Sequence, residues 1–316
     1  MTTNMSPDPV RSSPLPSAPA HAPPPAAAGA SAADAGMLLV CLIWGANFSV
    51  MKGAFSHMPP MAFSAIRFTV SSLLLYGLLR WRFGGVHVPP GLRWRMAWMG
   101  VLGNTLYQIA FTLSLVWGTA TNSALILSTI PAMVTTIAGI RRIEPVTPRM
   151  WAGTAVATIG VALVILAGGV HFGSHTLRGD LCAVAATFCW ALYTVELRRL
   201  PPTMQPLQTT ALTTFTGTPG LVAAGAMELM ALDWRRVPGS AWGALAYSSV
   251  LSLIVAYMIW NASVQKVGSS RTAIYMCVTP LVAAIVAWLA LGERLVPLQG
   301  AGAVLIVTGV LLTRKP

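Results

Sequence analysis

The stretch GMLLVCLIWGANFSVMKGAF, residues 36–55, runs for twenty residues with a single charge, Lys52, close to its end. A helix of that length rises about 30 Å, the thickness of the hydrocarbon core of a bilayer. Nine more apolar stretches follow, at 61–80, 95–116, 120–140, 149–168, 180–198, 207–229, 240–265, 271–291 and 297–313. Helix-breaking residues punctuate them: Pro59-Pro60, Pro89-Pro90-Gly91, Pro145 with Pro148, Pro201-Pro202, Pro238-Gly239 and Pro297. Barrel strands are shorter and alternate polar with apolar residues, so the spanning elements must be helices.

Composition agrees. Of 316 residues, 55% are apolar and 9% charged, against about 25% charged in an ordinary soluble domain. The mean hydropathy is +0.68. A chain this poor in charge cannot cover a water-facing surface, which excludes a water-soluble enzyme. The net charge of +12 sits in small clusters between apolar runs rather than on one basic face, so nucleic acid is not an expected partner. Cys41, Cys182, Cys189 and Cys277 all lie in apolar runs without metal-ligand spacing, and read as buried structural thiols. Residues 1–35 carry eight prolines and ten alanines. They read as a disordered tail rather than a signal peptide, because too little apolar area is present to offset the entropy of ordering.

Charge placement orients the spans. With the N-terminus inside, fourteen Lys and Arg residues fall on the cytoplasmic side and five (Lys52, Arg178, Arg235, Arg236, Arg294) on the other. That bias places both termini in the cytoplasm, in a multi-pass protein of the cell (inner) membrane.

The two halves resemble each other. Trp44 and Trp190 are 146 residues apart, as are Pro60 and Pro206. Tyr107/Tyr257 and Gly118/Gly268 share an offset of 150, and Pro131/Pro280, Glu144/Glu293, Gly153/Gly302 and Gly160/Gly309 an offset of 149. The fold expected is therefore all-α and integral to the membrane, with a first repeat over 36–168 and a second over 180–313. Five spans per repeat is an odd number, so the second repeat must enter the membrane inverted. Inverted repeats are a common plan of secondary transporters.

The run Ile43-Trp44-Gly45-Ala46-Asn47-Phe48, with Lys52 after it, resembles the first span of EamA-type members of the drug/metabolite transporter superfamily. Met58-Pro59-Pro60 with Ala65-Ile66-Arg67-Phe68 is similar to the start of their second span, and Trp190-Ala191-Leu192-Tyr193-Thr194-Val195 looks like the repeated copy of the first. The strongest match lies in Ser128-Thr129-Ile130-Pro131 through Glu144-Pro145 and in Thr279-Pro280 through Leu291-Gly292-Glu293-Arg294. Arg141-Arg142-Ile143-Glu144 departs from the Leu-Gly-Glu turn of the second half. The resemblance covers about residues 36–313. It implies a ten-helix carrier for small metabolites, often an exporter of amino acids, and does not identify the solute.

Polar groups inside a bilayer are costly and usually face a cavity or another helix. At helical spacing Trp44, Asn47 and Met51 share one face, and Trp190 and Tyr193 the matching face of the sixth span. Tyr107, Phe111 and Ser114 share a face of the third span, with Asn104 and Gln108 beside it. Tyr257 and Asn261 do so on the eighth, and Thr272, Tyr275 and Thr279 on the ninth. Together these residues are candidates to line a pocket of amides and hydroxyls among aromatic walls, suited to a small zwitterion with an apolar side chain. Interhelical hydrogen bonding and headgroup anchoring are the competing readings for the same residues. Arg67 could meet a substrate carboxylate, but its place near the start of a span favours snorkelling to the headgroups.

Gly118 and Gly268 fall in tight turns and are candidate hinges. Pro131 and Pro280 are expected to kink their spans. Gly153 with Gly160 and Gly302 with Gly309 give close-packing faces, either within the bundle or at a homodimer seam. No Asp or Glu sits mid-span, which leaves open both proton coupling through Glu196 or Asp180 and a facilitated exit.

An intramembrane enzyme would need paired carboxylates, metal ligands or a positioned nucleophile. The histidines (His21, His57, His87, His171, His175) fall in the tail or loops, and Ser49 with Lys52 lacks partner residues. There is no phosphate-binding loop for an ATP-driven pump. A channel would not explain the inverted repeat. Efflux of drug-like cations favours an embedded carboxylate, which the spans lack. The expected partners are a small-molecule substrate and the lipid bilayer, with no cofactor and no metal.

Overall fold

The computed structural model describes residues 32–86, 88–118, 123, 126–166, 177–282, 285 and 297–314. Most of the expected N-terminal tail, the stretch after residue 166 and the Leu291-Gly292-Glu293-Arg294 turn lie outside these residues. Among the described residues every regular element is helical.

The helices are α1 (Ala32–Phe55), α2 (Pro60–Phe83), α3 (Pro90–Trp117), α4 (Ile130–Ile140), α5 (Pro148–Leu166), α6 (Leu177–Arg198), α7 (Pro206–Ala231), α8 (Gly239–Val267), α9 (269–282) and α10 (Pro297–Arg314). Of these, α1, α2, α3, α6 and α8 are long and apolar enough to cross a membrane by length and composition, and α4, α5 and α10 contain shorter apolar helices. Prolines start several of them, with Pro60 and Pro206 at the first positions of α2 and α7. There the missing N–H is one that would have no intrahelical partner anyway. α3 and α8 are not uniform: each contains a π-helical stretch, Val101–Leu106 and Ser248–Val255, in its middle. α9 tightens to a 3-10 stretch at Ile274–Val278.

Polarity is arranged inside out. Leu38, Leu39, Leu42, Leu73, Leu74, Leu181, Phe188, Val304, Val307 and Leu311 are exposed. Thr209, Thr210, Thr213, Thr214 and Thr218 of α7 are buried. In water each exposed leucine would forgo about 2 kcal/mol of burial, whereas hydrocarbon imposes no such loss. Three of these hydroxyls are satisfied by donating one turn back, Thr213 to the Thr209 carbonyl at 2.9 Å, Thr214 to Thr210 at 2.7 Å and Thr218 to Thr214 at 2.7 Å, and that of Thr210 accepts from Asn261.

The helices pair in an exchange-symmetric pattern. α1 packs on α8 while α6 packs on α3, and α2 pairs with α7, α4 with α9 and α5 with α10. The α5–α10 seam is the most extensive contact. Gly153 and Gly160 face Gly309 and Gly302 across it, so closely that a Cβ on Gly309 would stand 2.4 Å from the Gly153 carbonyl oxygen. These glycine faces pack against each other within the chain.

Gly309→Ala should therefore force the seam apart and cost about 1–3 kcal/mol. Gly300→Ala, on the same helix with nothing within 4 Å of an added Cβ, should be neutral or slightly stabilising. Thermal unfolding of the two variants in detergent checks the contrast.

Candidate functional site

The centre of the bundle is a cluster of aromatic rings drawn from four helices. Trp190 of α6, 2% exposed, is its hub. Its ring centroid lies 5.7 Å from Trp44 of α1, 4.8 Å from Tyr107 of α3, 5.3 Å from Tyr193, and 5.4 and 5.5 Å from Tyr257 and Trp260 of α8. Trp44 also meets Tyr257 at 6.0 Å and Trp260 at 5.4 Å, and Phe111 stacks on Tyr107 at 5.9 Å. Edge-on contacts at 78° and 80° between Trp44 and its neighbours are the favoured quadrupole geometry. Both π-helical stretches end directly before this cluster, at Tyr107 and at Ala256-Tyr257. Such a wide turn re-aims the side chains that follow it, and π-turns recur at functional sites.

Amides tie the rings down. The Tyr193 hydroxyl donates to Asn261 Oδ1 at 3.2 Å, and Asn261 Nδ2 donates to Thr210 Oγ1 at 2.8 Å. Trp44 Nε1 donates to the Ser252 carbonyl at 3.1 Å, inside the second π-stretch. Asn47 accepts from the Ser248 hydroxyl at 2.7 Å and donates to Met51 Sδ at 3.1 Å. A second strand of contacts passes through Arg67, whose Nη1 donates to Met51 Sδ at 3.2 Å and whose Nη2 donates to Gln108 Oε1 at 2.9 Å.

The structure thus brings together Trp44, Tyr107, Phe111, Trp190, Tyr193 and Tyr257 as rings, joins Asn261 through Tyr193, and joins Asn47 and Gln108 through Met51 and Arg67. Tyr275 is held against α1, where its carbonyl accepts from Cys41 Sγ at 3.1 Å. Its hydroxyl donates to Asp34 in the first turn of α1, about 15 Å along that helix from Trp44. Snorkelling, the favoured reading of Arg67, is overturned: the side chain is 4% exposed and turned into the bundle, where it finds an amide and a thioether. Trp260 and Thr210 escaped the sequence reading. Trp260 was findable, three residues after Tyr257 on the same helical face.

The turns differ from one another. Gly268 has φ +103°, a conformation that side chains with a Cβ rarely adopt, and a Cβ there would meet Glu144 Oε2 at 2.8 Å. Gly118 is extended, and close approach to Gly179, not dihedral freedom, demands its lack of a side chain. Pro131 sits in the first turn of α4 rather than midway along a continuous span, and Pro280 follows the 3-10 stretch of α9. Glu144 accepts from the backbone N–H and hydroxyl of both Ser269 and Ser270 at the start of α9. Glu196, at the end of α6, is engaged by Arg95, Arg141 and Arg199. Among the described residues no cluster of His, Cys, Asp and Glu could hold a metal.

A model of the EamA-like transporter family matches the chain twice, over residues 31–166 and 177–315. The "Uncharacterized transporter YyaM" of Bacillus subtilis is 28% identical over 84% of this chain and 88% of its own length. A "Probable amino-acid metabolite efflux pump" of Salmonella typhimurium is 26% identical over 86% of this chain and 91% of its own. A solved crystal structure at 17% identity superposes with a TM-score of 0.75, covering 89% of this chain and 96% of that one; it shares the fold.

Tyr193→Phe removes the hydroxyl that orients Asn261 and leaves a buried acceptor unpaired. A loss of about 1 kcal/mol in stability is expected. A double-mutant cycle with Asn261→Ala, read by thermal unfolding, should show the two effects to be non-additive.

Proposed function

The chain belongs to the EamA-like transporter family and is a membrane transporter, and on that premise we propose that it exports amino acids or similar neutral or zwitterionic metabolites by alternating access. In this reading it spans the inner membrane ten times, as two inverted repeats of five helices, 36–168 and 180–313, with both termini in the cytoplasm. The observation that carries the proposal is the ring cluster. Its members come from both halves, Trp44, Tyr107 and Phe111 from one and Trp190, Tyr193 and Tyr257 from the other, so any movement of one half against the other must open or close it.

The exchange-symmetric helix pairing and the two family matches support the inverted repeat. The contact of Glu144 with the start of α9 supports a closed side to the bundle, since it joins the halves across Gly268. The amino-acid assignment draws on the printed name of the Salmonella relative and on the chemistry of the centre, where aromatic faces surround amides and hydroxyls. Drug-like cations are disfavoured because the described carboxylates that approach the membrane interior are taken up at helix ends, Glu144 by serines and Glu196 by arginines.

Trp44→Ala and Asn47→Ala should each lower amino-acid flux by tenfold or more in liposomes while leaving membrane insertion intact. Normal transport by both variants would remove the ring cluster from the solute's path.

A further inference from the structure

Among the described residues Arg67 is a buried cation that takes part in no salt bridge. It lies seven residues into α2, about 10 Å along the helix axis from Pro60, and is 4% exposed. The salt bridges among the described residues involve Glu196 and Asp233 and do not include it. Asp34, Glu144 and Glu228 accept hydrogen bonds from Tyr275, from Ser269 with Ser270 and from the Ala62 amide. Asp180 belongs to the first turn of α6, and Asp8 and Glu293 lie outside the described residues.

The partners that Arg67 does have are an amide oxygen and a thioether sulfur, neither of which carries charge. Its Nε has no hydrogen-bond partner among the described residues. A buried guanidinium left in this state is costly, and such groups persist where a charge is supplied from outside the chain.

The surroundings have a surplus of the same sign. Trp190 Nε1 and Trp260 Nε1, both in the ring cluster, are buried donors without acceptors among the described residues. Tyr107 and Tyr257, the rings beside Trp190, lie within electrostatic reach of the guanidinium. Among the described residues, two unsatisfied indole N–H groups thus belong to the ring cluster, and a guanidinium with an unsatisfied Nε–H lies within electrostatic reach of two of its rings. A carboxylate is the small group suited to such a set, since it is all acceptor and its two oxygens match the guanidinium fork.

We propose that Arg67 binds the carboxylate of the transported solute, so that the substrates of this carrier are organic acids, α-amino acids among them, whose apolar side chains lie against the rings of Trp44, Trp190 and Tyr257. This rests on the reading of the ring cluster as the solute's path. It adds a rule of selection: the carboxylate is required and the amino group is not, because among the described residues the centre offers an ammonium group aromatic faces and neutral amide and hydroxyl oxygens but no carboxylate.

The test uses the purified full-length protein and two matched pairs of probes, L-phenylalanine with L-phenylalaninol and 3-phenylpropanoate with 3-phenylpropan-1-ol. Binding is measured by calorimetry in detergent and flux in liposomes. Both acids should bind, and each alcohol should bind about 10- to 100-fold more weakly, the loss of one charge-assisted hydrogen-bonded contact. Arg67→Gln should lose binding of the acids by a similar factor and level the difference between acid and alcohol. Arg67→Lys, which keeps the charge without the fork, should fall between. If acids and alcohols bind the wild-type protein equally, or if neither acid binds, the proposal is overturned without recourse to any variant. Binding of the acids with no flux of either would overturn the export reading and leave Arg67 as the anion site. Equal flux of acids and alcohols would do the reverse.

Discussion

Hydrocarbon offers no hydrogen bonds, and the rest of the molecule follows from that. Backbone N–H and C=O groups must be satisfied within each crossing segment, which is why the described residues contain helices and no other regular element. Side chains are sorted the same way. Leu38, Leu42, Leu73, Val304 and Val307 of α1, α2 and α10 face outward, while the hydroxyls of Thr213, Thr214 and Thr218 on α7 turn inward and bond to carbonyls of their own helix. Helices in lipid gain little from burying apolar surface against one another, so they depend on close fit. The glycine seam between α5 and α10 supplies it by bringing backbone against backbone.

Against that background the middle of the bundle is unusual. Among the described residues it joins seven aromatic rings to the amides of Asn47, Gln108 and Asn261 and the guanidinium of Arg67, and the π-turns of α3 and α8 lead directly into Tyr107 and Tyr257 of this set. Trp190 is buried at the centre of the ring cluster, with Trp44 and Tyr107 half-buried at its edge. A ring cluster assembled from both halves is what alternating access needs at one stage of its cycle. The unsatisfied donors at Arg67, Trp190 and Trp260 are the strain that a bound anion would relieve.

Much of this was legible in the sequence because two periodicities coincide. Helical spacing put Trp44 with Asn47 and Tyr257 with Asn261 on common faces, and the offset near 150 told which faces correspond. The helix starts at Pro60 and Pro206 were readable for the same reason. Arg67 was misjudged because sequence gives the depth of a residue in a span but not the direction its side chain takes across the bundle. Tyr275 shares the spacing of Thr272 and Thr279, yet its hydroxyl is captured by Asp34, a contact across 241 residues that no local pattern encodes. Pro131 opens a helix instead of kinking one, since a proline costs nothing in a first turn. The pairing of the glycine faces within the chain needed the three-dimensional neighbours of α5 to be known.

A carrier that exposes one site to each side in turn has a kinetic signature that a channel lacks: solute waiting on the far side hastens the return of the empty site. The most direct measurement is influx of labelled L-phenylalanine into liposomes loaded with the unlabelled amino acid, compared with liposomes loaded with buffer alone. Saturable influx that the internal solute accelerates several-fold is the result expected of two halves alternating about the ring cluster. Influx that ignores the internal solute and rises in proportion to the external concentration would contradict it.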